Sequence, residues 1–330
     1  MPVEFHKLLV ALDGSSIADE ALHVAFHIAG AYSSRIDIVN VIVQPPSSPP
    51  LNAAEVIAPQ LVSDSPVPVI PPQRTEESQA SDEARPDNAL LQEKKNLLEE
   101  RRKWVVEEAG GAANLQCEII LRRSKDPGDE ILKISTEGGY DLIALGNRGL
   151  SGLQSLLLGS ASKKVVRHAK CSVLVAKEST GAGKEPPRRI LVGYDGSEES
   201  QRALEVSASL GKELGAQVDT VSVFSLPLVS EDLTGTIIPT LVGQEETQSK
   251  TLAEEASKFL SGQGIANHEG KIVGPVTGSI PKAISDLASK GEYDLVVVGH
   301  RGFGRLKSII LGSVASGVAD DSETNVLIVR

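Results

Sequence analysis

Short aliphatic runs alternate along the chain with longer segments in which apolar residues recur every three to four positions. In the first half the aliphatic runs lie at 7–12, 35–43, 115–121, 142–145 and 172–176, and the longer segments at 18–31, 89–109, 128–137 and 160–168. A short apolar run is typical of a strand buried on both faces, whereas the wider spacing is typical of a helix. Strands that alternate with helices predict an α/β fold, with a doubly wound parallel sheet flanked by helices.

The chain contains this pattern twice. The repeated segments are 7–15 with 189–197, 140–160 with 293–313, and 172–176 with 325–329. In the second of these pairs, roughly half of the positions are identical and no gap is needed. Residues 177–188 are rich in Gly, Ser, Pro and charged residues, which is typical of a linker. The sequence therefore predicts two tandem domains, residues 1–178 and 189–330.

The two halves differ most after their second strand. In the first half, residues 44–87 are rich in proline and then in Ser, Glu and Asp. Proline cannot donate the hydrogen bond that a helix needs, so this insertion is predicted to be extended or mobile. A disordered insertion is the simpler interpretation. The alternative is a lid or partner-binding arm, because the segment follows the carboxyl end of a strand, where such sheets bind ligands.

Charge and composition exclude several classes of function. The formal net charge is −11, whereas sequence-independent binding of nucleic acid needs a basic surface. No apolar stretch approaches the roughly 20 residues of a membrane helix, and the first residues lack a signal-peptide pattern. Cys117 and Cys171 lie in strand-like runs, where buried, reduced thiols are expected. We therefore expect a cytoplasmic protein that contacts neither membrane nor nucleic acid directly.

In both halves a glycine motif, Gly-x-x-Gly, ends the fourth strand, and nine residues later Gly-Ser opens a predicted helix. The motif residues are Gly146, Arg148, Gly149, Gly159 and Ser160 in the first half and Gly299, Arg301, Gly302, Gly312 and Ser313 in the second. Glycine lets the backbone approach a ligand closely, and free amides at a turn and a helix start can hold an anion. One copy alone would favour a structural helix cap. Two copies, each accompanied by an aspartate after the first strand, predict a phosphate site in each half.

That aspartate is Asp13 in the first half and Asp195 in the second, and each is followed by Gly-Ser. A carboxylate in this place is often a turn or helix-capping residue. The first strand of a doubly wound sheet also borders the point where ligands bind, so the carboxylate can contact a base or ribose. The residues alone leave both interpretations open.

The sequence offers no catalytic centre. It contains no P-loop, and Ser160 and Ser313 have no identifiable neighbouring base. His23 and His27 are four residues apart on a predicted helix, but no third ligand accompanies them, so we interpret them as packing or surface residues. We therefore expect no catalytic residues and no metal site formed by the protein itself.

With these motifs the sequence resembles the universal stress protein family over essentially its whole length, once in each half. Nucleotide-binding members have an Asp after strand one and Gly-x2-Gly-x9-Gly-Ser/Thr after strand four, and both halves match this spacing. The resemblance implies five parallel strands in the order 3-2-1-4-5 in each half, and binding of ATP, ADP or AMP with Mg²⁺ or Mn²⁺ held by the phosphates. It places around the nucleotide Ala11, Asp13, Val41, Leu145, Gly146, Arg148, Gly149, Gly159, Ser160 and Ala161, and in the second half Gly193, Asp195, Val223, Val298, Gly299, Arg301, Gly302, Gly312, Ser313 and Val314.

The resemblance also implies pairing through the fifth strands, which gives an internal pseudo-dimer of the two halves, with a homodimer as a further option. After Gly-Ser, the first half has Lys163 and Lys164, and the second has Asp320 and Asp321 further along the helix. If the lysines face the phosphates, the first site should bind more tightly.

The function that the resemblance implies is a response to stress or a signal, through nucleotide-dependent conformation or binding of a protein partner that the sequence does not identify. The alternatives are a slow ATPase of the adenine nucleotide α-hydrolase class and an interaction module that binds no nucleotide.

Overall fold

A computed structural model describes residues 4–43, 86–109, 116–149, 158–178, 185–225, 237–276, 279–302 and 311–330. Within these ranges no helix combines the length and apolar character that a membrane span needs. Residues 44–85 of the predicted insertion lie outside the described residues, so its interpretation as a disordered segment, lid or arm stays a prediction.

The first half alternates strands and helices as its hydrophobic pattern predicts. Its elements are β1 (Lys7–Ala11), α1 (Ser16–Tyr32), β2 (Arg35–Val43), α2 (Pro86–Glu108), β3 (Cys117–Ser124), α3 (Pro127–Gly138), β4 (Leu142–Gly146), α4 (Ser160–His168) and β5 (Ser172–Ala176). Strand β3 ends at Ser124 rather than at the predicted Leu121. Among the described strands it pairs with β2 alone, so Arg122 and Arg123 extend the strand without being fully buried.

The second half repeats the plan. Its elements are β6 (Arg189–Gly193), α5 (Glu198–Leu214), β7 (Gln217–Ser225), α6 (Ile237–Gly262), β8 (Gly270–Val276), α7 (Ile280–Lys290), β9 (Leu295–Gly299), α8 (Ser313–Asp321) and β10 (Asn325–Val329).

All ten strands form one sheet in the order β3-β2-β1-β4-β5-β10-β9-β6-β7-β8. Within each half the strands are parallel and follow the predicted order 3-2-1-4-5. The two halves meet where β5 and β10 pair antiparallel, with Leu174 opposite Leu327. The sheet is therefore continuous across both halves, and β3 and β8 are its outer strands.

Helices cover both faces of this sheet. One apolar cluster includes residues of α1, α2, α5 and α6, and the other includes residues of α3, α4, α7 and α8. Every residue of β4, β5, β9 and β10 is buried. Because these central strands are covered on both faces, their sequences are continuous aliphatic runs without polar alternation.

Two reciprocal contacts join the halves beside the central strands. The Lys177 ammonium donates to the Ala319 carbonyl oxygen at 2.6 Å, in the last turn of α8. The Arg330 guanidinium donates to the Val166 carbonyl oxygen at 2.9 Å, in the last turn of α4. The residue that follows each fifth strand thus contacts the end of the other half's Gly-Ser helix, where a cation is favoured by the helix dipole.

Candidate functional site

A cavity of about 490 Å³ opens at the carboxyl ends of β1, β2 and β4 in the first half. The first-half residues predicted to surround a nucleotide all line it: Ala11, Asp13, Val41, Leu145, Gly146, Arg148, Gly149, Gly159, Ser160 and Ala161. The carboxyl edge of a parallel sheet is where doubly wound folds bind their ligands. The structure therefore brings the motif residues and the aspartate together around one space.

The glycine motif and the start of α4 are held together by backbone hydrogen bonds. The Gly159 amide donates to the Asn147 carbonyl oxygen at 2.7 Å, and the Ser162 hydroxyl donates to the Gly146 carbonyl oxygen at 2.7 Å. Gly159 is the N-cap of α4 and, having no side chain, makes no capping hydrogen bond. By contrast, the Ser15 hydroxyl caps α1. No N-cap side chain therefore competes with a ligand for the first amides of α4.

Asp13 is positioned by the turn that follows β1. Its Oδ1 accepts a hydrogen bond from the Ser15 amide at 2.9 Å. Its Oδ2 lies so close to Gly149 that a Cβ there would be under 3.0 Å away. The two interpretations of Asp13 are thus compatible, because a turn carboxylate also lines the cavity.

The second half has the same local geometry. The Ser197 amide donates to Asp195 Oδ1 at 3.0 Å, and Asp195 Oδ2 lies against Gly302. The Gly312 amide donates to the His300 carbonyl oxygen at 2.8 Å, as the equivalent amide does in the first half.

The other second-half candidates lie around this geometry. A Cβ on Gly193 would lie 3.1 Å from Val298 Cγ1, and Gly299 abuts the backbone of Glu199. Val223 and Val314 pack against the apolar cluster that contains Val298. Ser313 opens α8, and a Cβ on Gly312 would lie 3.1 Å from Arg301 Cα.

The two motif arginines have different surroundings. In the first half, Nη2 of Arg148 contacts the Glu178 carboxylate. In the second half, Arg301 neighbours His300 and Arg330. Burial, and then the positive charges of Arg330 and Arg301, lower the pKa of His300. Arg330 and the Glu199 carboxylate thus lie near the second-half glycine motif, whereas Glu178 accompanies the first-half arginine.

Helix α2 contributes cavity residues that the sequence analysis missed. Leu90 and Lys94 line the cavity, and Lys94 also lines a second cavity of about 570 Å³ beside Asp13. Lys94 Nζ lies 3.3 Å from the Glu93 carboxylate and would be 4.0 Å from a Cβ on Gly14. The sequence signal was the spacing of Leu90, Lys94 and Leu97, which puts three residues on one face of a helix.

Lys164, one of the basic residues of α4, pairs with carboxylates of a neighbouring helix. Lys164 pairs with Asp126 and, at 3.0 Å, with Asp129, both at the start of α3. Lys163 is exposed. The expectation of tighter binding in the first half therefore receives no support from Lys164, which faces a neighbouring helix.

Histidines and carboxylates are also dispersed. In the described ranges no three His, Cys, Asp or Glu side chains are grouped so that they could hold a metal ion. The His23 ring packs edge-on against Trp104 with centroids 4.6 Å apart, and His27 packs against Phe26. Packing therefore accounts for the position of both histidines.

Comparison with known proteins agrees with the motifs. The model of the universal stress protein family matches residues 4–66, 63–177 and 187–330. A universal stress protein of Mycolicibacterium smegmatis is 29% identical over 240 residues, which cover 72% of this chain and 76% of the relative. Universal stress protein YxiE of Bacillus subtilis is 31% identical over 173 residues, which cover 52% of this chain and 99% of the relative.

The fold is also found in solved structures. A universal stress protein from Archaeoglobus fulgidus superposes with a TM-score of 0.58 at 22% identity, covering 99% of this chain and 97% of the other. At that identity the likeness concerns the fold, and the family model establishes membership. The chain belongs to the universal stress protein family.

Proposed function

We propose that each half binds an adenine nucleotide, namely ATP, ADP or AMP, and that the chain acts in a stress response or signal through nucleotide-dependent conformation or partner binding. The observation that carries this proposal is the first-half cavity, which gathers the strand-one aspartate, the glycine motif and the start of α4. Its aliphatic wall, with Val41 and Leu145, suits a base, and Asp13 suits a ribose hydroxyl. The amides at Ser160 suit phosphate.

A divalent cation fits this arrangement as a companion of the phosphates. The described residues offer no ligand cluster of their own, and Mg²⁺ commonly retains waters and binds through substrate phosphates. The role of the protein is then to hold the phosphates at the start of α4 and beside Arg148. The cation would supply charge neutralisation.

Arg148 provides a route from the nucleotide to the rest of the chain. Its guanidinium contacts Glu178, which follows β5 at the start of the linker between the halves. A phosphate in the cavity would compete with Glu178 for this cation. Nucleotide binding would thereby release or move the segment after β5, where we expect a protein partner to sense the bound state.

We place this function in the cytoplasm, because the free thiols of Cys117 and Cys171 suit a reducing compartment. Both fifth strands are paired within the chain, so the internal pseudo-dimer uses the surface through which the family resemblance implies pairing. A homodimer of the whole chain would have to use another surface, such as the outer strands β3 and β8.

Calorimetric titration of the nucleotide-free chain with ATP and Mg²⁺ tests the proposal. Ser160→Glu and Ser313→Glu each add a carboxylate at the first residue of α4 or α8, where both serines are exposed. The helix dipole stabilises a negative charge at this position, so the helix should still form, but the added carboxylate repels phosphate. We expect each variant to lose one of two binding events. Thr136→Glu, an exposed position at the end of α3, is the matched control with the same charge change.

Absence of heat for the unmodified chain would overturn the proposal and favour the interaction-module alternative. Loss of binding in Thr136→Glu as well would show that net charge, rather than the two helix starts, governs the response. Assay of ADP in the same samples decides between binding alone and slow hydrolysis. Steady release of ADP would support the ATPase alternative.

A further inference from the structure

The two outer strands of the described sheet differ in how regular they are. All eight residues of β3 pair with β2 without a register shift, and the strand contains neither glycine nor proline. At the other edge β8 contains Gly274 and Pro275, and its pairing with β7 shifts register between Val223 and Ser225. Prolines and bulges are features that keep an outer strand from pairing with a further strand. The sheet thus has these features at β8, whereas β3 is regular enough to accept a partner.

The pairing with β2 fixes which backbone groups of β3 point outward. The Ile36 amide donates to the Gln116 carbonyl oxygen at 2.9 Å. Because bonding direction alternates along a strand, the even-numbered residues from 118 to 124 turn their backbone groups to β2, and the odd-numbered ones from 117 to 123 turn theirs to the outer edge. In agreement with this assignment, the Leu121 carbonyl oxygen accepts a hydrogen bond from a side chain, Nη1 of Arg122, at 3.1 Å.

The charges on β3 complement each other about its middle residue. Glu118 and Arg122 lie on the same face of the strand, two positions either side of Ile120. The Glu118 side chain is 41% exposed and contacts Arg35. An antiparallel copy of β3 centred on Ile120 would put Glu118 of each strand opposite Arg122 of the other. It would also place odd-numbered residues opposite odd-numbered ones, so that the outward backbone groups bond to each other.

Other registers lose one of these two matches. A centre at Ile119 or Leu121 keeps the backbone bonding but puts Glu118 opposite Ile120 or Ser124, so that the opposite charges no longer meet. A centre between two residues places outward backbone groups opposite inward ones. The existing contact with Arg35 is compatible with the partner, because a carboxylate has two acceptor oxygens.

We propose that β3 pairs antiparallel with β3 of a second copy of this chain, about a two-fold axis at Ile120, and that the sheet is continuous through the resulting dimer. A two-fold axis makes both contacts between Glu118 and Arg122 identical. The same kind of contact already joins the two halves of the chain, where the outer strands β5 and β10 pair antiparallel. This inference does not depend on nucleotide binding.

Charge reversal tests the pairing of Glu118 with Arg122. Sedimentation equilibrium of the full chain, of 34.8 kDa, is expected to show a dimer. Arg122→Glu and Glu118→Arg each turn two attractive pairs into two repulsive ones, so we expect each to weaken the dimer by at least about tenfold. An equimolar mixture of the two variants should restore it, because opposite charges then meet at both positions. Lys271→Glu on β8 is the matched control, with the same charge change as Arg122→Glu and no expected effect.

Disulfide formation tests the register. In Ile120→Cys the two thiols would face each other in a pair without backbone bonds, where Cα atoms lie about 4.5 Å apart and a disulfide can form. Under mild oxidation we expect a linked dimer from Ile120→Cys. We expect none from Ile272→Cys on β8 or from the unmodified chain, which has the free thiols of Cys117 and Cys171.

Several outcomes would overturn the inference. A monomer at every concentration would do so, as would a dimer that survives both charge reversals. A dimer weakened equally by Lys271→Glu would show that net charge governs assembly. If circular dichroism shows both reversed chains folded and their mixture stays monomeric, Glu118 and Arg122 do not meet. Equal linking of Ile120→Cys and Ile272→Cys would exclude the proposed register.

Discussion

The carboxylate of Asp13 lies directly against the backbone of Gly149, where a side chain would otherwise begin. The second half reproduces the contact between Asp195 and Gly302. In both, the other carboxylate oxygen accepts a hydrogen bond from the amide two residues later, so the aspartate has little freedom to move away. The strand-one aspartate and the last glycine of Gly-x-x-Gly therefore depend on each other sterically.

We expect Gly149→Ala to lower the ATP affinity of the first half by about tenfold or more, because the new Cβ displaces Asp13. Gly302→Ala should do the same in the second half. Calorimetry measures the affinity, and circular dichroism confirms the fold. Gly30→Ala is the control, since a Cβ there meets nothing within 4 Å. Unchanged affinity in Gly149→Ala would show that the position of Asp13 does not matter for binding.

The family resemblance implied the strand order 3-2-1-4-5. The hydrophobic alternation and the glycine spacing were enough to predict a doubly wound sheet and the motif residues that line the cavity. Both are local patterns, and the doubly wound topology places the ends of β1 and β4 side by side. The contribution of Lys94 was not predictable in this way. It reaches the cavity from a helix beyond the insertion, so its position depends on how α2 packs on the sheet.

The buried side chain of Asn40, whose Oδ1 has no hydrogen-bond partner among the described residues, was likewise invisible in the sequence. An asparagine in an aliphatic strand indicates a buried polar group, but its partner Leu12 lies on another strand's turn. Only the packed structure shows which of its two amide atoms is left over.

The contact between α3 and α4 in the first half and the contact between α7 and α8 in the second each place a glycine against a larger residue. The glycine lies on a different helix in each half, which allows a test of packing. In the first half, Gly128 of α3 faces Lys164 of α4, with a Cβ on Gly128 3.1 Å from the lysine Cβ. In the second half, Pro281 of α7 faces Gly317 of α8, and a Cβ on Gly317 would be 2.5 Å from the proline ring. The large and small residues have exchanged sides.

We expect Gly317→Ala to reduce the free energy of unfolding by about 1–3 kcal/mol, because overpacking outweighs the gain in helix propensity. Pro281→Gly in the same chain should remove the clash, so the double variant should be less destabilised than the two single changes predict together. Urea unfolding gives the three values. Additive effects would contradict a direct contact between the two positions.

Each half contains a tyrosine–aspartate pair at the amino ends of its strands, away from the carboxyl ends that carry the glycine motif. The Tyr140 hydroxyl donates to buried Asp37 at 2.7 Å, and the Tyr293 hydroxyl donates to buried Asp219 at 2.6 Å. Burial, and then the neighbouring aspartate, raise the pKa of both phenols, so both stay protonated donors.

We expect Tyr140→Phe and Tyr293→Phe each to cost about 1–3 kcal/mol of stability, because a buried carboxylate loses a charge-assisted hydrogen bond. Tyr194→Phe, which removes only a 3.2 Å contact with the neutral amide of Gln201, should cost less. Thermal and urea unfolding of the three variants measure this difference. A cost for Tyr194→Phe as large as the others would argue against a special role of the aspartates.

The contact between Lys177 and α8 predicts a pH dependence. Burial lowers the pKa of Lys177 to about 8; Asp320 and Asp321 counteract this effect, and Arg148 adds to it. In the unfolded chain the ammonium has its ordinary pKa of 10.5. Between these two values the unfolded chain binds a proton that the folded chain does not. Lys177 therefore makes the chain more stable as the pH rises through this window, by about 3 kcal/mol at most.

Lys177→Met removes the titrating group and keeps most of the apolar stem, so it isolates this contribution from the other lysines and tyrosines. We expect the unfolding free energy of the unmodified chain, minus that of Lys177→Met, to rise between pH 8 and pH 10 and to be flat from pH 6 to pH 7. Below the folded pKa the lysine is charged in both states, so no proton is exchanged on unfolding. A difference that stays flat throughout would mean that Lys177 remains charged at the junction. The carboxylates of Asp320 and Asp321 would then outweigh its burial.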